Sequence, residues 1–146
     1  MTMPRTLKAF GREVRKLINS PDVFEILSDG DWGAGGCWIL AEALVRFLGP
    51  PARMLAVQYE DMPVSHVVVE YDDVYIDYLG AQTERELYRN IAIDDASTGR
   101  FGGDPPKLVP FTISLQAQAR DLEIPCDPHD VKRLLSVLNI RFRQDE

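Results

Sequence analysis

The sequence predicts an α+β domain in which helices flank a small antiparallel β-core, and three observations carry that expectation. Apolar residues recur at helical spacing in the first and last parts of the chain. Between them, runs rich in Val, Ile and Tyr are separated by the turn-forming residues Glu60 to Pro63 and Asp72 to Asp73. The length, 146 residues, fits a single domain covering 1–146 around one core.

Each element follows from local chemistry. Leu7, Phe10, Val14 and Leu17 fall on one face of an amphipathic first helix. Ser20 and Pro21 fit an N-cap and first helical position, predicting a short helix to about Leu27. A longer helix runs from Cys37 to about Leu48 and is stopped by Gly49 and the Pro50–Pro51 pair. Strands are expected at Ala52–Tyr59, Val64–Tyr71 and Val74–Leu79. Thr83 and Glu86 form a capping box for a helix through about Ile91. Asp94 to Lys107 contains three glycines and two prolines without apolar periodicity, and is expected to be a long loop that borders the functional cleft. Asp127 and Pro128 then open a final helix through Val131, Leu134, Leu135 and Leu138.

The chemistry concentrates between Trp32 and Asp77. Gly33, Gly35 and Gly36 precede Cys37, which starts the apolar helix. At a helix N-terminus, unpaired N–H groups and the helix dipole favour a thiolate over a thiol. Downstream, a two-residue turn at Asp72–Asp73 pairs Tyr71 with Val74 and sets Val68 opposite Asp77. His66 has the parity of Val68, so it shares a sheet face with Asp77 as a diagonal neighbour. A cysteine, a histidine and a carboxylate in that order suit thiol acyl transfer. The imidazole takes the thiol proton, the thiolate attacks a carbonyl carbon, and the imidazolium protonates the leaving group. Asp77 would set the ring tautomer. The Cys37 N–H and a group from the Asp31–Gly36 loop are the candidate oxyanion donors.

At these residues the chain resembles the transglutaminase-like proteins within the papain-like cysteine protease superfamily. The resemblance lies in Gly36, Cys37 and Trp38, then Ala41, Leu44, Arg46 and Leu48, then Gly49, Pro50, Pro51, Ala52 and Arg53. It covers Trp32 to Leu79, about a third of the chain. It implies a papain-like or transglutaminase-like core, with a nucleophile helix packed on a small antiparallel sheet. Cys37, His66 and Asp77 are then the catalytic residues, and Asp31, Trp32, Gly36 and Trp38 the candidates for the oxyanion site and cleft wall. Asp31 stands where papain-type enzymes carry a glutamine, and Val67, Val68 and Val69 follow the histidine where transglutaminase-like proteins carry an aromatic residue.

Composition narrows the partners. The net charge is −7 and no basic block occurs, which disfavours nucleic acid and anionic membrane surfaces. Met1 to Asn19 interleaves arginines and lysines with its apolar residues, unlike a signal peptide. Two cysteines make no disulfide framework, and a nucleophilic thiol must stay reduced, so a cytoplasmic setting or a delivered effector is expected. No cofactor is implied. A structural zinc on Cys37, His66, Cys126 and His129 is a weak alternative, because only Cys126 and His129 are close in sequence. The expected activity is hydrolysis of a peptide, isopeptide or side-chain amide bond in a protein or peptide. The rivals are transglutaminase-type amine transfer and a non-catalytic interaction or immunity module.

Overall fold

The computed structural model describes residues 4–26, 36–62, 64–97, 105–123 and 126–142. In chain order its elements are α1 (Leu7–Ile18), α2 (Pro21–Phe24), α3 (Gly36–Leu48), β1 (Arg53–Gln58), β2 (His66–Tyr71), β3 (Val74–Asp77), β4 (Gly80–Gln82), α4 (Glu84–Ser97), β5 (Lys107–Pro110), α5 (Ile113–Asp121) and α6 (Pro128–Arg141). Among the described residues this is a mixed α/β arrangement of six helices and one five-stranded sheet in the order β4-β3-β2-β1-β5. Every pairing is antiparallel.

Alternation along the central strands sorts the side chains into two layers. Ala56, Val67, Val69 and Ile76 join Phe10 and Val14 of α1, Trp38, Leu40 and Leu44 of α3, and Val131, Leu134 and Leu138 of α6 in the larger core. Leu55, Val68 and Tyr75 form a smaller cluster with Leu87 of α4 on the opposite face. Each fully buried Val, Leu or Phe contributes roughly 1.5–3 kcal/mol, so the larger cluster dominates. Phe10 meets Phe142 edge-on at 5.0 Å between ring centroids and stacks on Phe47 at 5.9 Å, tying the first helix to the end of the last. Gly11 lets α1 approach β4 closely, because a Cβ there would lie 2.3 Å from the Ala81 nitrogen.

The caps act as their chemistry predicts, with one exception. Thr83 N–H donates to Glu86 Oε1 and Glu86 N–H to Thr83 Oγ1, both at 3.1 Å, and Asp127 Oδ1 accepts the His129 N–H at 2.9 Å. Ser20 occupies the N-cap of α2, but its hydroxyl donates back to the Leu17 carbonyl at 2.6 Å, and that helix ends at Phe24 instead of Leu27. The Asp72–Asp73 turn has φ values of 52° and 62°, the left-handed pair of a tight hairpin, and sets Tyr71 opposite Val74.

Other boundaries differ from expectation. The third strand stops at Asp77, and a second tight turn at Tyr78–Leu79 leads into β4. α4 continues past Ile91 to Ser97, so Asp94 to Ser97 are helical, while Lys107 begins β5. Residues 98–104, the middle of the expected loop, lie outside the described residues. None of the described helices is long and apolar enough to cross a membrane.

Candidate functional site

The site lies at the end of the sheet where β2 begins and β3 ends. His66 is the first residue of β2 and Asp77 the last of β3. The sequence starts this strand at Val64, but the ladder begins at His66. Ser65 donates both its N–H (3.0 Å) and its hydroxyl (3.2 Å) to the Val57 carbonyl, while Val57 pairs with His66. Two residues therefore meet one, the pattern of a β-bulge, a device that re-aims a side chain.

His66 Nε2 lies 3.0 Å from Asp77 Oδ2. The other ring nitrogen, Nδ1, is left for Cys37, whose side chain is hydrogen-bonded to the same imidazole. Cys37 is the second residue of α3 and 5% exposed, in the first helical turn, whose N–H groups have no acceptor within the helix. The Tyr78 ring stands edge-on to the imidazole at 5.7 Å, bracing its plane. Burial works against a charged His66, but hydrogen bonds to Asp77 and Cys37, with the negative charge behind them, outweigh it and raise the imidazole pKa from 6.5 to about 10. The arrangement therefore favours an imidazolium between two acidic groups.

Asp77 is itself held. Its Oδ1 accepts the Leu79 N–H at 2.9 Å and the Gln82 side-chain amide at 2.8 Å, and Asn90 of α4 donates to Gln82 Oε1 at 2.6 Å. Gln82 and Asn90 are absent from the sequence-derived site. The signal for Gln82 was present: the Tyr78–Leu79 turn pairs Tyr75 with Gln82, giving it the parity of Asp77. Asn90 carried no such signal, because only the docking of α4 brings it there. Beside His66 and Asp77 a cavity of about 200 Å³ runs under α4, reaching Tyr59, Asp94 and Asp95, with the Tyr59 hydroxyl hydrogen-bonded to Asp95.

The remaining candidates divide. Gly36 opens α3 and is buried. Trp38 is 1% exposed and packs edge-on against Phe111 at 5.1 Å, with the Arg120 guanidinium 5.3 Å from its ring centroid, so it serves the core. Asp31 and Trp32 lie outside the described residues. Arg53 pairs with Glu70 at 2.7 Å. The zinc set does not assemble: the Cys126 thiol donates to Glu42 at 3.4 Å, and among the described residues no three His, Cys, Asp or Glu side chains converge on a metal position. In comparisons with known proteins, no family model matches the chain, and no curated protein or solved structure is significantly similar to it.

Proposed function

We propose that this chain is a thiol-dependent acyl-transfer enzyme with a papain-like or transglutaminase-like core, hydrolysing an amide, peptide or isopeptide bond of a protein or peptide substrate. One observation carries the reading: a single partly buried imidazole is shared between Asp77, at 3.0 Å, and the side chain of a cysteine in the first turn of a helix. His66 Nδ1 takes the Cys37 proton. The thiolate attacks the substrate carbonyl carbon, and the carbonyl π electrons move to oxygen, where the Cys37 N–H stabilises the negative charge. As the C–N bond breaks, His66 delivers the proton to the departing amine, leaving a thioester on Cys37. Water, deprotonated by His66, then attacks the thioester; the C–S bond breaks and the thiol recovers its proton. Asp77 keeps the Nε2 proton pointed at itself, so that Nδ1 is the nitrogen that exchanges with sulfur.

Thiol alkylation tests this directly. Cys126 is the internal reference, since burial and the Glu42 carboxylate push its thiol up to about 12. Cys37 should react with iodoacetamide well below pH 8, with Cys126 silent, and His66→Ala should move the Cys37 profile up to the ~8.5 of an ordinary thiol. A profile unchanged by His66→Ala would refute the activated pair. Incubating wild type and Cys37→Ala with a proteome, and comparing protein masses, then identifies the bond attacked.

A further inference from the structure

We infer that Gln82 is a positioning residue for this site: its side-chain amide, oriented by Asn90 on α4, holds the Asp77 carboxylate turned toward His66. The inference rests on the acyl-transfer reading for its importance, but not for its geometry. An ionised carboxylate only accepts hydrogen bonds, so Gln82 must present its NH₂ to Asp77 Oδ1, and its oxygen is left for Asn90. Asn90 then has to present its own NH₂. The distances, 2.8 Å and 2.6 Å, fit this one-way chain from α4 to the carboxylate. With the Leu79 N–H also on Oδ1 at 2.9 Å, that oxygen has two donors and Oδ2 is left facing the imidazole.

Burial makes the arrangement matter. Asp77 is 4% and Gln82 5% exposed, so water cannot freely replace a lost donor, and a buried carboxylate short of donors turns toward whatever donor it can reach. Removing the amide frees Asp77 to rotate away from His66 Nε2. Asn90 acts one step further out. Without it the Gln82 amide can flip and present oxygen to oxygen. Helix α4, which contributes Leu87 to the smaller core cluster, is thereby connected to the orientation of His66.

The test reads His66 itself. The chain has two histidines, so ring-¹⁵N-histidine NMR with His129→Gln for assignment isolates His66. In the wild type, the proton on Nε2 should exchange slowly with water. Gln82→Met should accelerate that exchange at least tenfold and lower the His66 titration midpoint. Asn90→Ala should shift both in the same direction by less. Gln82→Glu adds a signature that packing alone cannot produce. A protonated carboxyl there donates to Asp77 as the amide does, so the protected proton persists at low pH and is lost as the introduced group ionises. The other groups around the ring, Cys37 on α3, Tyr59 after β1, Tyr78 after β3, and Asp94 and Asp95 on α4, are identical in every variant. Unchanged Nε2–H exchange in both Gln82→Met and Asn90→Ala overturns the inference. An unreactive Cys37 in the wild type would instead refute the acyl-transfer reading, and the NMR result would still decide the role of Gln82.

Discussion

Asp77→Asn isolates the role of charge and tautomer with almost no change of shape. Two N–H donors, from Leu79 and Gln82, converge on Oδ1, so the asparagine oxygen must stay there and its NH₂ must take the place of Oδ2. That puts a donor 3.0 Å from His66 Nε2 and forces the ring proton onto Nδ1, the nitrogen left for the hydrogen bond with Cys37. A ring protonated at Nδ1 cannot accept the thiol proton there. The thiol should then behave as an ordinary one with a pKa near ~8.5, about 0.1% ionised at pH 5.5. A more basic thiolate is the better nucleophile, by a Brønsted slope of about 0.4–0.5, which recovers somewhat less than half of the loss on a logarithmic scale. The net expectation is a roughly 30-fold slower alkylation of Cys37 at pH 5.5, with the difference closing at about pH 7 and reversing above it, where the more basic thiolate is the faster nucleophile. Iodoacetamide labelling followed by mass spectrometry of the Cys37 peptide measures it. Wild-type labelling at pH 5.5 in Asp77→Asn would show that the carboxylate does not control the proton on His66.

Two further outcomes concern stability. In Gly11→Ala the new methyl would meet Ala81 at 2.3 Å from its nitrogen and 2.5 Å from its Cβ, and a backbone atom cannot swing aside. Overpacking of about 1–3 kcal/mol exceeds the ~1 kcal/mol helix-propensity gain, so thermal denaturation should show Tm lower by roughly 3–8 °C; a higher Tm would refute the close contact. At alkaline pH, burial followed by the Glu70 hydrogen bond raises Tyr75 from 10.0 to about 12, and burial followed by Glu42 raises Cys126 from 9.0 to about 12. Both folded-state values lie above the unfolded ones, so their stabilisation is complete below about pH 9 and is lost as pH climbs toward 12. Urea midpoints at pH 8 and 10.5 should fall less in Tyr75→Phe and Cys126→Ala than in the wild type.

What could be read from sequence was whatever a short period records. The β2–β3 hairpin has period-two alternation and a two-residue turn, so its register and the diagonal placement of His66 and Asp77 followed from counting. The Cys37 helix followed from its glycine cluster, apolar run and Gly-Pro-Pro stop. What escaped has no such period. β4 is three residues long, and β5 is an edge strand ended by Lys107 and Pro110, residues that blunt edges. α5 buries Ala119 while leaving Ile113 83% exposed, so its apolar residues mark no face. The second half of α4 carries Asp94 and Asp95 to the cavity instead of apolar side chains to the core, which made it look like loop. The Asn90–Gln82–Asp77 chain depends on a helix lying across a sheet, and local pattern does not record that.

The Asp72–Asp73 turn lies at the far end of the hairpin from the site, about 17 Å away along β2 at ~3.3 Å per residue. It nevertheless works as the zero mark of a ruler graduated in twos. Any loop whose ends still meet at Tyr71 and Val74 leaves His66 and Asp77 in phase, so the tip can be lengthened, tagged or exchanged. One residue inserted between the tip and either side chain turns that side chain to the other face of the sheet. Tolerance to change along this hairpin therefore depends on whether the count from the tip is kept, and hardly at all on distance from the site.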